Sequence, residues 1–423
     1  MLDLKFVREN AESVRTAAKQ KKVNLDLDLL LDLDQQVLDV KRKLQVLQEE
    51  KNSNAKKMPK AAPEERQGFI DRGRAIGAEI AQLEPQANAK EEELKKLMWL
   101  TPMIPAADAP IGRDESENVE RKKSGELPKF NFEFKDHVDV ILKNEWAEFE
   151  RMARVSGSRM LALKNELALY EFAVLRFALD FLRKKGSEII TVPAMVREEA
   201  LFGTGHFPAG REQVYYLPAD DLYLSGTAEV PLTSLHSGEI LLDSKLPMRY
   251  GAFSPCFRRE AGSAGKDVRG LMRVHQFNKV EQFIFCRNDP EESAHWHKEL
   301  LATSEEIVQA FELPYRVIEV CTGDMGAGKY RMHDIECWVP SEKQYRETHS
   351  CSSLHDWQAR RANLRYRDKE DKVKYIHTLN NTAVATPRIL IPLIENHQME
   401  NGSIRIPKAL QPYMGGVDRI GGK

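Results

Sequence analysis

The chain lacks any apolar run approaching the roughly 20 residues that span a bilayer. Residues 1–30 also lack the series of basic start, apolar core and small-residue cleavage site that marks a secreted protein. Neither a membrane partner nor export is expected, and the location implied is cytoplasmic. Cysteine is scarce: Cys256, Cys286, Cys321, Cys337 and Cys351 are scattered and form no CxxC pair, which argues against structural zinc and against a disulfide framework and suits reduced thiols. A surplus of one charge is missing too, because 63 Lys and Arg stand against 65 Asp and Glu, for a formal net charge of −2. Any surface for nucleic acid must therefore be local rather than a global positive field. Low-complexity tracts are absent. What remains is an ordinary globular composition over 423 residues, long enough for two or three domains with at least one sizeable core.

Near the amino end, Leu30, Leu33, Val37, Val40, Leu44 and Leu47 alternate three and four residues apart, and a second seam runs Phe69, Gly73, Ile76, Ile80, Leu83, Ala87, Leu94 and Leu97. Pro59 and Pro63 lie between them and suit a turn, so the spacing predicts two helices in an antiparallel hairpin reaching about 50 Å or more. An interior proline costs about 3 kcal/mol, so Pro85 predicts a bend near residues 82–85. The tip and its approach carry Lys51, Lys56, Lys57, Lys60, Arg66, Arg72 and Arg74. These cations suit RNA phosphates, and they equally suit the plain task of keeping an exposed coiled coil in solution.

Residues 102–128, rich in Pro, Gly and acidic side chains, read as connecting chain. The division expected is a coiled-coil domain over 1–110, a linker over 111–135 and a larger body over 136–423. The body opens with a long amphipathic helix over 165–185, with Leu169, Phe172, Leu175, Leu179 and Leu182 along one side, followed by a β-rich stretch at 188–193. Beyond it, hairpins predominate over regular βαβ units, which predicts an α+β body: an antiparallel sheet flanked by helices.

The most informative stretch is CFRREAGSAGKDVRGLMRVHQFNKVEQFIF at 256–285. Two runs of strand character, 249–257 and 272–285, flank a loop with Arg258, Arg259, Lys266, Arg269 and Arg273, and with Glu260 and Glu281 among them. Such a hairpin would aim several permanently charged guanidiniums at one polyanion, of which a nucleoside triphosphate is the simplest. Phe277 follows Arg273 by four residues, and an even offset in a strand returns to one face, placing a ring where it can lie under a purine. By composition alone, a solvated surface hairpin also fits. Residues 323–329 have GxxxxGK spacing, but Tyr330 occupies the place of the required Ser or Thr and no convincing helix follows, so a phosphate-cradling loop is not expected there.

The 256–285 segment resembles motif 2 of the class II aminoacyl-tRNA synthetases, in the form seen in bacterial-type seryl-tRNA synthetases. GTGHFP at 203–208, SGTAEVPLTSLHSGEI at 225–240, CTGDMGAGKY at 321–330, RETHSCSSLHDWQARR at 346–361 and TLNNTAVATPRILIPLIE at 378–395 resemble that family in its order. The likeness implies a class II catalytic domain behind a tRNA-gripping coiled-coil arm, and a motif 1 helix and strand at a homodimer interface. It implies ATP-dependent attachment of L-serine to tRNA(Ser), and to tRNA(Sec), through a seryl-adenylate, with Mg2+ accompanying ATP and with no DNA partner.

Residue by residue, it implies catalytic roles for Arg258 and Arg388. Arg258, Arg259, Glu260, Arg273, Val274, Phe277, Glu347, Thr348, His349, Ser350 and Arg388 would bind ATP, with Glu347 and Ser350 holding Mg2+. Thr227, Ala228, Glu229, Arg258, Glu281, Asn380 and Thr382 would bind serine, and Lys51, Lys56, Lys57 and Lys60 would touch tRNA. Arg388 is expected at the start of a helix, with Pro387 in its first turn. The family's glycine-rich NGSG is replaced here by Asn380-Asn381-Thr382-Ala383. Two other functions stay open from residue types: an amino-acid:carrier-protein ligase, disfavoured by the arm, and a non-catalytic tRNA-binding paralogue, disfavoured by the intact Arg258, Glu281, Glu347 and Arg388.

Overall fold

The computed structural model describes residues 1–262, 265 and 269–422, so Lys266 lies outside the described residues. The chain divides into two compact units, Met1–Pro102 and Met103–Lys423.

In the first unit, helix α1 (Leu27–Lys57) starts at Asp26, whose carboxylate accepts from the Leu29 amide at 2.9 Å. A short turn at Met58–Lys60 leads to α2 (Pro63–Leu100), with proline in the first helical position. The 31 and 38 residues correspond to about 46 and 57 Å. Cross-helix partners run in opposite directions along the two helices: Gln36 meets Lys90, Lys41 meets Glu91 at 2.5 Å, and Glu50 meets Arg72 at 2.6 Å. The pair is therefore antiparallel. Its seam buries Leu30, Leu33, Val37 and Leu47 against Ile76, Ile80, Ala87 and Leu94, then steps to Met98 where Leu97 was expected. Pro85 lies inside α2 without ending it.

The second unit is built on an eight-stranded sheet. Its strands are β1 (Val119–Ser124), β2 (Glu188–Thr191), β3 (Met248–Phe257), β4 (Gln276–Cys286), β5 (Tyr315–Glu319), β6 (Arg331–Val339), β7 (Gln344–His355) and β8 (His377–Thr386), in the spatial order β1-β5-β6-β7-β8-β4-β3-β2. Every neighbouring pair is antiparallel except β2 with β3. The unit also contains α3 (His137–Lys143), α4 (Asn165–Lys184), α5 (Pro290–Ala310) and α6 (Leu390–Asn396). Residues of α4, α5 and α6 join one hydrophobic core that includes Val280, Val317, Ile335 and Val384 from the sheet. The α+β, antiparallel-sheet expectation holds.

Two local expectations change. Within the stretch expected as a linker, Val119–Ser124 pairs with β5 as an edge strand. Its VERKKS sequence carries no apolar alternation because four of its six residues are exposed. The apolar side expected of α4 also splits. Leu167, Tyr170, Val174, Phe177 and Ala178 take the core face, whereas Leu169 and Phe172 are 61% and 64% exposed. A stripe centred on Leu167 steps through 170, 174 and 178 at helical spacing and leaves positions 169 and 172 on another side.

Candidate active site

The two-residue period of β4 and β8 creates the site. Along β4, Phe277, Lys279 and Glu281 line a cavity of about 250 Å3, whereas Val280 is fully buried and Gln282 donates to Ser304 Oγ of α5 at 2.9 Å. The pattern repeats on β8. Asn380 and Thr382 line the cavity, while Asn381 between them donates to the Leu300 carbonyl at 2.8 Å. Strand pairing sets Glu281 opposite Thr382.

One end of the cavity is an enclosed polar cluster. Lys279 Nζ lies 2.5 Å from Glu281 Oε2 and donates to Thr227 Oγ1 at 2.7 Å, with all three residues buried. Glu229 accepts from Gln358 Nε2 at 2.6 Å and from Asn380 Nδ2 at 2.9 Å, which fixes the Asn380 amide and turns its oxygen away from Glu229. Burial pushes the Glu281 carboxyl above its ordinary range despite Lys279. Burial acts on Glu229 in the same sense, but Lys329, His206, Gln358 and Lys279 outweigh it and hold that carboxyl below the ordinary range. Ala228, expected at this end, instead packs with Leu232, Ala252 and Phe283 in the core and is absent from the cavity wall.

The other end is cationic. Arg258 donates to the Gly226 carbonyl at 3.3 Å, and its guanidinium lies 5.0 Å from the Phe277 ring centre. A Cβ on Gly226 would stand only 3.2 Å from Arg258 Cγ, so a side chain there would press on the arginine. Glu260 takes the left-handed conformation, φ +51°, and accepts from Arg273 Nη1 at 2.8 Å. Arg273 lines the cavity as expected, but from the segment before β4 and not from the strand itself, so the even-offset argument relating it to Phe277 does not apply.

Arg388 donates to the Met272 carbonyl at 3.3 Å and approaches the Glu347 carboxylate at 3.5 Å. It stands in a turn ahead of α6: the Leu390 amide bonds to Pro387 O and the Ile391 amide to Arg388 O, and helix begins at Leu390. The placement in a first helical turn is thereby corrected. Val274, Glu347, Thr348 and Ser350 also line the wall. Two further expected residues do not. Arg259 lies over the Tyr215 ring at 5.8 Å, and His349 is buried between Thr348 Oγ1 at 2.8 Å and the Ala383 carbonyl at 3.1 Å. Burial lowers the His349 imidazole to about 4, so it is neutral near pH 7.

Sequence reasoning assigned no role to Lys279, Lys329 or His206, yet all three line the cavity. Lys279 was detectable as the in-phase residue between Phe277 and Glu281. Lys329 closes the GxxxxGK decoy, which runs into strand β6 rather than a helix. Asp334 was also missed. It pairs in register with Ser350, and burial together with Glu347 raises its carboxyl well above the ordinary range. Its Oδ1 is buried with no hydrogen-bond partner among the described residues. Asp334 is not part of the cavity wall, and Glu347 with the Ser350 hydroxyl on that wall forms a hard-oxygen donor pair that fits Mg2+.

All five cysteines are free and buried, and among the described residues no group of three or more His, Cys, Asp and Glu is arranged to hold a metal. No helix there is long and apolar enough to cross a membrane. In the first unit, Lys51, Lys56, Lys57 and Lys60 are exposed, whereas Arg72 is committed to Glu50 and Glu79.

An antiparallel sheet with its long helices α4 and α5 on one face and a cleft of arginines and carboxylates on the other is the architecture of a class II synthetase core. Residues 216–397 match the family model of the tRNA synthetase class II core domain (G, H, P, S and T), and residues 1–105 match that of the seryl-tRNA synthetase N-terminal domain. The chain is 54% identical over 421 residues to the serine–tRNA ligase of Deinococcus radiodurans, covering 100% of this chain and 99% of that one. The solved seryl-tRNA synthetase of Pyrococcus horikoshii, complexed with ATP, superposes with a TM-score of 0.93 at 38% identity, over 99% of both chains. That of Naegleria fowleri, with AMP, gives 0.87 at 28% identity, over 99% of this chain and 98% of that one. The chain belongs to the seryl-tRNA synthetase family and is accordingly a ligase, in line with the resemblance noted from its motifs.

Proposed function

We propose that the protein attaches L-serine to tRNA(Ser), and to tRNA(Sec), through a seryl-adenylate made from ATP. The observation that carries the reading is the cavity itself, which joins a buried polar end at Thr227, Glu229, Glu281, Asn380 and Thr382 to a cationic end at Arg258, Arg273 and Arg388. Glu281 pairs with the substrate ammonium, and Thr382 and the Asn380 oxygen bond its hydroxyl. An amino acid lacking that hydroxyl would leave these buried groups unpaired, which supports discrimination against alanine. Phe277 carries the adenine, with Arg258 holding both the serine carboxylate and the α-phosphate.

In the first step a serine carboxylate oxygen attacks the α-phosphorus in line, the bond to the bridging oxygen breaks, and pyrophosphate leaves with that electron pair. Arg258 stabilises charge on the α-phosphate, and Arg273 and Arg388 on the departing group. Glu347 and Ser350 would hold Mg2+, which when bound neutralises phosphate charge. In the second step a terminal ribose hydroxyl of tRNA attacks the seryl carbonyl and AMP leaves. Lys51, Lys56, Lys57 and Lys60 support phosphate contacts on the arm, and free thiols support a cytoplasmic setting. Exposed Leu169, Phe172 and Ile189 on the expected motif 1 face support a homodimer.

The decisive assay is ATP–pyrophosphate exchange. It should depend on serine and be weak with threonine or alanine, and an active, folded preparation without serine-dependent exchange would refute the reading. A pH profile tests the amino-acid end. Because burial raises the Glu281 carboxyl, it takes up its proton at a higher pH than an ordinary glutamate, and the ammonium then loses its counter-charge. Serine kcat/KM should accordingly fall with decreasing pH before the usual carboxylate range is reached, and Glu281→Gln should flatten that limb. A profile identical in wild type and variant would remove Glu281 from the role.

A further inference from the structure

We propose that His137, which lies outside the cavity, is a positioning residue that sets the cationic end of the site by holding the Leu271 amide; the inference rests on the ATP-binding reading above. His137 opens α3 and is buried. Its Nδ1 lies 2.8 Å from Glu395 Oε1, and the same oxygen accepts the His137 amide at 2.9 Å. Glu395 is fully buried on α6 and also accepts from Ser341 N and Oγ, each at 2.9 Å. On its other edge, His137 Nε2 accepts the Leu271 N–H at 3.4 Å.

A backbone N–H can only donate, so Nε2 must present its lone pair and the proton must sit on Nδ1, facing the carboxylate. The imidazole therefore bridges α6 to residue 271 with each ring nitrogen in a fixed role. Gly270 shows how close the fit is, since a Cβ there would lie 2.4 Å from Nε2. The flanking acids of α3 grip the same segment, with Asp136 3.2 Å and Asp139 2.5 Å from Arg269.

The two residues after Leu271 belong to the phosphate wall. The Met272 carbonyl receives Arg388, and Arg273 pairs with Glu260. Leu271, Met272, Arg273 and Arg388 all line the cavity. Arg388 and Glu395 lie seven positions apart, in one segment that runs from the turn into α6, so His137 links two parts of the chain that must meet on one triphosphate. A bond at the Leu271 amide fixes the register of the next two residues, and displacing it moves an acceptor for one arginine and the backbone of another.

Two substitutions separate the two edges of the ring. An asparagine amide reaches about as far as Nδ1, so His137→Asn keeps the donor to Glu395 and loses the acceptor for Leu271. A glutamine amide oxygen reaches the place of Nε2, so His137→Gln keeps that acceptor. His137→Asn should raise KM for ATP in serine-dependent exchange roughly fivefold, the worth of one ordinary hydrogen bond, with KM for serine unchanged. His137→Gln should restore the ATP value.

In the nucleotide-free protein, amide exchange in a peptide covering 269–275 should quicken in His137→Asn and not in His137→Gln. That readout needs no catalysis, so it still judges the His137 bridge if exchange activity, and with it the proposed function, fails in wild type. Should His137→Asn not fold, Gly270→Ala crowds Nε2 with the histidine retained and should raise the ATP KM likewise. Equal ATP KM values in the Asn and Gln variants, unaltered amide exchange in His137→Asn, or an unmoved ATP KM in Gly270→Ala would each overturn the proposal.

Discussion

Arg388→Ala should lower serine-dependent ATP–pyrophosphate exchange by roughly a thousandfold, the upper range for removing one preorganised charge stabiliser from an enclosed site. The same variant should still unfold cooperatively, with its midpoint within about 1.5 °C of wild type, a shift that corresponds to ~1 kcal/mol for a unit of this size. Both expectations rest on one geometry. Among the described residues Arg388 is tethered by contacts of 3.3 to 3.5 Å to the Met272 carbonyl and to Glu347, so its loss removes little from the fold. Met272 O and the Glu347 carboxylate border the cavity and can turn to water, so neither becomes a buried orphan. The guanidinium meanwhile faces the cavity beside Arg273, where charge on a departing pyrophosphate has few other partners. Arg388→Lys should recover only part of the rate, because an ammonium offers a point charge in place of a planar fork. Exchange within tenfold of wild type in the alanine variant would show that Arg273 and Arg258 suffice.

The parts of this fold that were legible in sequence are those in which one physical pattern dominates. The heptad spacing from Leu30 to Leu47 placed α1 because a two-helix hairpin has a single stripe to bury. The antiparallel body was legible because hairpins of short strands predominate over βαβ units along the second half of the chain. Patterns failed where two constraints overlap. Edge strand β1 carries no hydrophobic signature, because most of it is exposed, and it was read as linker.

The α4 stripe mixed residues facing the sheet with Leu169 and Phe172, which face elsewhere. Arg273 and Arg388 reach the cavity from irregular segments, so no period could place them. At the site, charged and aromatic residues were legible by chemistry, but the supporting groups were not. Gln358, Asp334 and His137 meet Glu229, Ser350 and Glu395 across 129, 16 and 258 positions, and a single sequence carries no trace of such pairings.

Excision of residues 33–97, with a short glycine link between residues 32 and 98, should leave serine-dependent pyrophosphate exchange within a few-fold of wild type and lower tRNA charging by about a hundredfold or more. The closure is geometrically reasonable because the antiparallel seam brings the start of α1 beside the end of α2, as the Gln36 to Lys90 and Lys41 to Glu91 pairings require. Every residue lining the cavity belongs to the second unit, so the adenylation machinery does not include the removed chain. The tip lysines explain the drop in charging. Replacing Lys51, Lys56, Lys57 and Lys60 together by alanine should raise KM for tRNA and flatten its dependence on salt, since every phosphate left without its lysine takes close to one released counterion from the slope. Serine and ATP KM values should not move in that variant. Equal loss of exchange and charging on excision would instead make the arm a structural support of the catalytic unit, and an unchanged salt slope in the lysine variant would place the RNA contacts elsewhere on the helices.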